Sequence, residues 1–304
     1  MASVAAWVEG ARLRTLPASA APVLLGAGIA FGLHPSSWLV ALGCLAVALL
    51  LQIGVNFAND YSDGIRGTDE HRLGPPRLVS GGENPRRVLA AASGCFAIAA
   101  VIGTVIIIVT QSWWLFAAGA LALAAAWFYT GGKHPYGYLG YGISELMVFV
   151  FFGLLAVQGT LWVLAKTLPW QSWLLASGLG FLSCALLMVN NLRDIPTDRL
   201  SGKMTLAVRL GDRGSRIAFV VLILLALGFS LIVLFVPWPD IFEGGFAQWV
   251  PGFCVQLVLW LGALFTIRPV RRGATGMMLI KVLRNTGFLT LGYGVLLGLL
   301  FTLF

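Results

Sequence analysis

Two stretches far apart in the chain carry the same kind of chemistry. Asn56 to Asp69, NFANDYSDGIRGTD, closes a long apolar run and is crowded with amides and carboxylates. If that run continues as a helix, Gln52, Asn56, Asn59 or Asp60, and Asp63 share one face, at spacings of three and four. Asp60 and Asp63 then stand about 4.5 Å apart along the axis. Asn190 to Lys203, NNLRDIPTDRLSGK, closes a second apolar run, with Asn190, Asp194 and Asp198 spaced four apart. Carboxylates gathered without counter-charge repel one another. A hard divalent cation relieves that conflict, and Mg²⁺ takes one or two carboxylates together with phosphate oxygens and water. The two stretches therefore predict a site where Mg²⁺ joins the protein to a phosphate or diphosphate.

The elements that must position these acids are membrane helices. The chain has 304 residues, 59% of them hydrophobic and only 11% charged, with a mean hydropathy of +0.89. That balance excludes an ordinary soluble domain. Nine apolar runs read as spans, near 16–34, 37–58, 88–109, 113–130, 141–165, 171–191, 216–236, 247–267 and 283–304. No linker or low-complexity stretch divides the chain, so one domain over 1–304 is expected. The N-terminal stretch has Glu9 and no compact apolar core before its arginines, unlike a secretory leader. Cys44, Cys95, Cys184 and Cys254 lie apart inside apolar runs and have no metal-ligand spacing.

Charge sets the expected orientation. With nine spans, Lys166 falls on one side and the other 19 of the 20 lysines and arginines on the opposite side. The positive-inside rule makes the basic side cytoplasmic, with the N-terminus inside and the C-terminus outside. Both acidic stretches then open on the cytoplasmic face, in the two most basic loops. Arg66, Arg77, Arg193 and Lys203 are interleaved with the acids, as groups answering a phosphate would be. Arg86, Arg87, Arg213, Arg216, Arg268, Arg271 and Arg272 read as topology determinants that meet anionic lipid. The loop YTGGKHPYGYLGYGISE holds Tyr129, Lys133, Tyr136, Tyr138, Tyr141 and Glu145. Tyrosines at an interface often serve only as membrane anchors. They also suit a site that holds an aromatic ring or a carbocation. Glu145 reads as an acid neutralised by a neighbouring base, and Asp240 and Glu243 read as a solvated loop.

These motifs resemble those of the UbiA superfamily of intramembrane prenyltransferases. The superfamily pattern is N-D-x-x-D-x-x-x-D followed by D-x-x-x-D. Here Asn59, Asp60 and Asp63 are followed by Gly67, where the pattern has its last Asp, and Asp69 comes two residues later. That departure resembles the branch acting on 1,4-dihydroxy-2-naphthoate. So do Asn190-Asn191-Leu192-Arg193-Asp194 with Asp198, the Gly202–Gly211 continuation, and Lys133 with Pro135-Tyr136-Gly137-Tyr138. Arg12-Leu13-Arg14-Thr15-Leu16-Pro17 is a weaker match. The resemblance covers the whole chain in order.

The resemblance implies nine transmembrane helices around a central cavity, in a bacterial inner membrane. It implies Mg²⁺ and a polyprenyl diphosphate at the cytoplasmic end, with 1,4-dihydroxy-2-naphthoate as acceptor. On this reading Asn59, Asp60, Asp63, Asp194 and Asp198 hold the metal. Arg66, Lys203, Lys133 and Tyr138 are the expected catalytic residues. Arg14, Gln52, Asn56, Arg77, Tyr129, Asn190 and Arg193 are expected to bind substrate, and Asp69 to act from behind them. Lys133 or Arg14 would orient the acceptor carboxylate. Nothing points to nucleic acid. A 4-hydroxybenzoate or chlorophyllide acceptor is the alternative within the superfamily. A CDP-alcohol phosphotransferase fits less well, because Gly67-Thr68 stand where Ala-Arg belongs and nine spans are too many. A cation transporter would place its acids near the bilayer midplane rather than at helix ends beside basic loops.

Overall fold

A computed structural model describes residues 2–67, 77–236 and 249–303, and among these residues the chain is helical, with no strand. Eight helical stretches are long and apolar enough to cross a membrane, and a ninth, Leu115–Phe128, is apolar but shorter. The helices in order are α1 (Val4–Ala11), α2 (Leu16–Leu33), α3 (Trp38–Ile65), α4 (Pro85–Thr110) and α5 (Leu115–Phe128). They continue with α6 (Ile143–Val148), α7 (Ala156–Ala165), α8 (Trp170–Leu200), α9 (Leu206–Leu234), α10 (Trp249–Arg271) and α11 (Met277–Leu303). Helix starts are marked by caps. Ser37, Asn84 and Thr205 each accept a hydrogen bond from a backbone N–H of the first turn.

Asn59, Asp60, Asp63, Asp194 and Asp198 stand on helices, not in loops. The expected spans ended near residues 58 and 191, but α3 runs on to Ile65 and α8 to Leu200. Burial explains the extension. Asn59, Asp60, Asp63, Asp194 and Asp198 are each less than 10% exposed, so these polar turns are packed rather than frayed. Asp69, His71, Arg72, Asp240 and Glu243 lie outside the described residues.

The main core joins α2, α8, α9 and α11, through Leu25, Ile29, Leu179, Phe219, Ile223 and Tyr293. α8 packs along α9, α11 along α2, and α3 along α4. Outward faces such as Val101, Val105 and Val109 of α4 remain exposed, as lipid-facing positions require. The α2–α11 crossing depends on absent side chains. A Cβ on Gly28 would fall on the backbone of Gly298, and one on Gly32 would meet the Phe301 carbonyl. Gly28 with Gly32, and Gly294 with Gly298, give each helix a four-residue small-residue spacing for close approach.

α6 and α7 are joined by a π-helical stretch, Phe149–Leu155. π-turns widen a helix locally and frequently accompany functional sites. Here the stretch faces α8, and Phe151 and Phe152 line the central cavity.

Candidate active site

α3 and α8 bring the two acidic stretches to one cavity of about 280 Å³. Asn59, Asp60 and Asp63 line it from α3, and Asn190, Asn191, Arg193, Asp194 and Asp198 from α8. Lys203 links the two motifs. Its backbone N–H donates to the Asp198 carbonyl at 2.8 Å, and its Nζ stands 4.0 Å from Asp63 Oδ2. The cavity also has apolar lining, with Ala122, Ala125 and Ala126 of α5, Phe151 and Phe152 of the π-stretch, and Leu186 and Leu187 of α8.

Each acid has specific partners. Asp60 Oδ1 accepts from Arg12 at 2.5 Å and from Arg77 at 2.6 Å. Asp63 accepts from the Tyr138 hydroxyl, with Arg77 Nη1 at 3.9 Å from its other oxygen. Asp194 takes a two-point contact from Arg193, Nε at 2.7 Å and Nη2 at 2.6 Å. That fork geometry is the strong form of a carboxylate–guanidinium pair. Arg193 Nη2 also donates to Asn190 Oδ1 at 3.0 Å. Asn59 Oδ1 accepts from Thr130 at 2.7 Å. The site is thus acids threaded with cations, which suits a metal-bound polyanion better than a bare metal ion.

The donor set is all oxygen, the chemistry of a hard cation. Among the described residues, no three His, Cys, Asp or Glu side chains cluster as ligands for a metal. That arrangement fits Mg²⁺, which draws its remaining ligands from phosphate and water, and does not fit a closed protein cage.

Thirteen of the sixteen residues expected at the site line this cavity. Three take other places. Arg66 donates to the carbonyls of Thr130 and Gly132, so it anchors the tyrosine loop beside the cavity. Tyr138 stands behind Asp63, with Lys203 Nζ 4.9 Å and Arg66 Cζ 5.8 Å from its ring centre. Lys133 is exposed and does not line the cavity, so the structure leaves the orienting role expected of it without a position. Arg14 lines the cavity and pairs with Glu9.

Gln52 and Asn56 also line the cavity, but their side chains grip the chain before α2. Gln52 donates to Thr15 Oγ1 at 3.3 Å and accepts from Ser19 at 3.0 Å. Asn56 donates to the Ala11 carbonyl at 2.9 Å. This grip holds Arg12, whose backbone has a φ of 54°, over Asp60. The sequence marks Arg12 as a basic residue of the N-terminal segment and as part of a weaker motif match, not as a partner of Asp60. Sequence reasoning also missed Thr130 and Ser183, which carry no charge to draw attention.

Tyr129 and Tyr136 meet edge to face, with ring centres 5.6 Å apart. Tyr136 donates to the Ala125 carbonyl at 2.8 Å, and burial pushes its phenol up to about 12. The Tyr136 ring therefore presents a neutral phenol at physiological pH.

The chain matches the UbiA prenyltransferase family over residues 19–283. It is 49% identical over 289 residues to the 1,4-dihydroxy-2-naphthoate octaprenyltransferase of Mycobacterium tuberculosis, covering 94% of this chain and 93% of that one. To the enzyme of the same name from Escherichia coli it is 39% identical over 229 residues, 69% of this chain and 70% of that one. A solved UbiA homologue from Archaeoglobus fulgidus, bound to DMAPP and Mg²⁺, matches with a TM-score of 0.68 at 13% identity. The match covers 96% of this chain and 98% of that one. With its polytopic helical architecture and both acidic motifs at one cavity, the chain belongs to the UbiA prenyltransferase family.

Proposed function

We propose that this protein transfers a polyprenyl chain from polyprenyl diphosphate to 1,4-dihydroxy-2-naphthoate. CO₂ and diphosphate leave, and the product is the demethylmenaquinol of menaquinone biosynthesis. One observation carries the reading: a single cavity is lined both by acids and guanidinium groups and by apolar and aromatic side chains. A prenyl diphosphate combines those same two chemistries. The 49% identity to a dihydroxynaphthoate octaprenyltransferase over nearly the whole chain supports the acceptor.

Asn59, Asp60, Asp63, Asp194 and Asp198 would hold Mg²⁺. The metal, when bound, supplies Lewis-acid charge that offsets the negative charge gathering on the departing diphosphate. Arg12, Arg77 and Lys203 are placed to share that work, since each already neutralises an acid of the α3 motif. Charge stabilisation held ready at a leaving group is typically the largest catalytic contribution. The allylic cation must meet the acceptor ring before water. Phe151, Phe152 and Tyr129 line that path, and a desolvated aromatic face contributes about 2 kcal/mol to a cation. Arg14 is the remaining expected partner for the acceptor carboxylate. The basic rim is on the cytoplasmic side of a bacterial inner membrane in this reading.

The test uses purified protein in lipid nanodiscs, with Mg²⁺, octaprenyl diphosphate, and dihydroxynaphthoate and 4-hydroxybenzoate in competition. Prenylated, decarboxylated naphthoquinol is the expected product. Prenylation of 4-hydroxybenzoate alone would overturn the acceptor assignment, and no prenylated ring at all would overturn the function.

A further inference from the structure

Two buried polar atoms have no hydrogen-bond partner among the described residues: Ser183 Oγ of α8 and Glu145 Oε1 of α6. Ser183 is only 4% exposed, and it lines the cavity together with alanines, leucines and phenylalanines. Leaving such an atom unsatisfied is costly, so it calls for an explanation. The two belong together. Cys184, next to Ser183, donates through Sγ to the Glu145 carbonyl at 3.1 Å, which sets both at one depth on facing helices. No ion pair to Glu145 forms among the described residues, contrary to the expectation of a neutralising base. Tyr129 lines the same cavity as Ser183.

We propose that Ser183 forms a polar notch for the hydroxyl of the acceptor ring that lies remote from its carboxylate, with Tyr129 closing it and Glu145 behind it. This rests on the acceptor assignment above. Ser183 lies seven residues before Asn190 on α8, about 10 Å along the axis at 1.5 Å per residue. The carboxylate and the far hydroxyl are meta to each other on one ring, so the acceptor bridges that distance with a hydrogen bond of about 2.8 Å at each end, its carboxylate toward the Asn190–Arg193 end and its far hydroxyl at Ser183. In an apolar wall, one satisfied hydroxyl selects strongly against a ring that lacks it, because the notch is then left unpaired. Ser183 touches the ring here. Glu145 does not itself line the cavity, so it acts as a positioning residue behind Ser183 and Tyr129.

The test compares two ligands in the full protein in nanodiscs: KM for 1,4-dihydroxy-2-naphthoate, and the inhibition constant of 1-hydroxy-2-naphthoate, which lacks the remote hydroxyl. The wild-type protein is expected to favour the dihydroxy ring by about tenfold, one to two hydrogen bonds. Ser183→Ala and Glu145→Ala are expected to erase that preference by weakening only the dihydroxy ligand. KM for octaprenyl diphosphate stays unchanged, and Glu145→Gln keeps most of the preference because the amide preserves the polar shape of the side chain behind Ser183. Retention of the full preference in Ser183→Ala overturns the notch, and so does equal weakening of both ligands. A wild-type protein that prenylates no naphthoate brings down the acceptor assignment instead, which the wild-type arm alone reveals.

Discussion

Asp60 accepts from two guanidinium groups, and they reach it from opposite directions in sequence, Arg12 from 48 residues before and Arg77 from 17 after. That convergence makes Arg12 a working part of the site. Arg12→Ala and Arg77→Ala are each expected to lower kcat by about a hundredfold, the usual loss for one preorganised charge donor. Asp63→Ala and Asp194→Ala are expected to abolish turnover while the protein stays folded. Diphosphate release with Mg²⁺ present, read beside the unfolding midpoint, checks all four. Near-normal release from either aspartate variant would exclude their role at the metal. At this scale the sequence was most legible for charged groups at helical spacing. Asn59, Asp60, Asp63, Asp194 and Asp198 all fell where a periodic reading put them. Lys133 is exposed in a loop outside the cavity, a placement its charge and spacing do not specify. Ser183 was invisible, since a serine in an apolar run reads as helix packing.

The elements explain how a short N-terminal stretch becomes part of the site. α1 and the turn after it are tied to α3 by Asn56 and Gln52, and to the segment before α4 by Glu83, which accepts from the Ala2 backbone N–H. The N–H groups of Ala2 and Asn84, with Arg87 adding, hold the Glu83 carboxyl below its ordinary range. A carboxyl depressed by folding contributes stability above its ordinary pKa and gives it up as pH falls through the lowered value. The N-terminal segment is therefore expected to become protease-sensitive only below about pH 4. In Glu83→Gln it should be sensitive at pH 7 and change little on acidification, and limited proteolysis across pH reads the difference. The α2–α11 crossing gives a sharper case. Gly298 faces the Leu24 carbonyl, so Gly298→Leu is expected to destabilise by about 1–3 kcal/mol through overpacking. A Gly94→Leu control on α4, where a Cβ meets nothing within 4 Å, should leave the midpoint unchanged. The apolar runs announced both helices. Which glycines touch, and the π-stretch that turns Phe151 and Phe152 inward, depend on partners that no run of residues specifies.

At the scale of the whole molecule, the shortest span decides the topology. α5 has fourteen residues, about 21 Å at 1.5 Å per residue, against a hydrocarbon core of about 30 Å. Length alone would leave it out. Contacts place its two ends nonetheless. Thr130, just after α5, donates to Asn59 at the acidic end of α3, whereas Ser112, just before it, accepts from Lys166 at 2.6 Å, beyond α7. Lys166 is the one basic residue the charge partition put on the other side, and it caps the Thr110 carbonyl there. α5 therefore runs from one face of the bundle to the other, and the bilayer must thin around it or accept part of the tyrosine loop. Counting it with the eight longer stretches gives nine crossings among the described residues, an odd number, and we expect the termini on opposite sides. Epitope tags at both ends, tested with protease on inside-out membrane vesicles, are expected to show the N-terminal tag cleaved and the C-terminal tag protected. Cleavage of both would mean an even count and would set the tyrosine loop across the membrane from Asp63, against the Tyr138 contact. Protection of the N-terminal tag alone would invert the molecule and turn the diphosphate end of the cavity away from the cytoplasm.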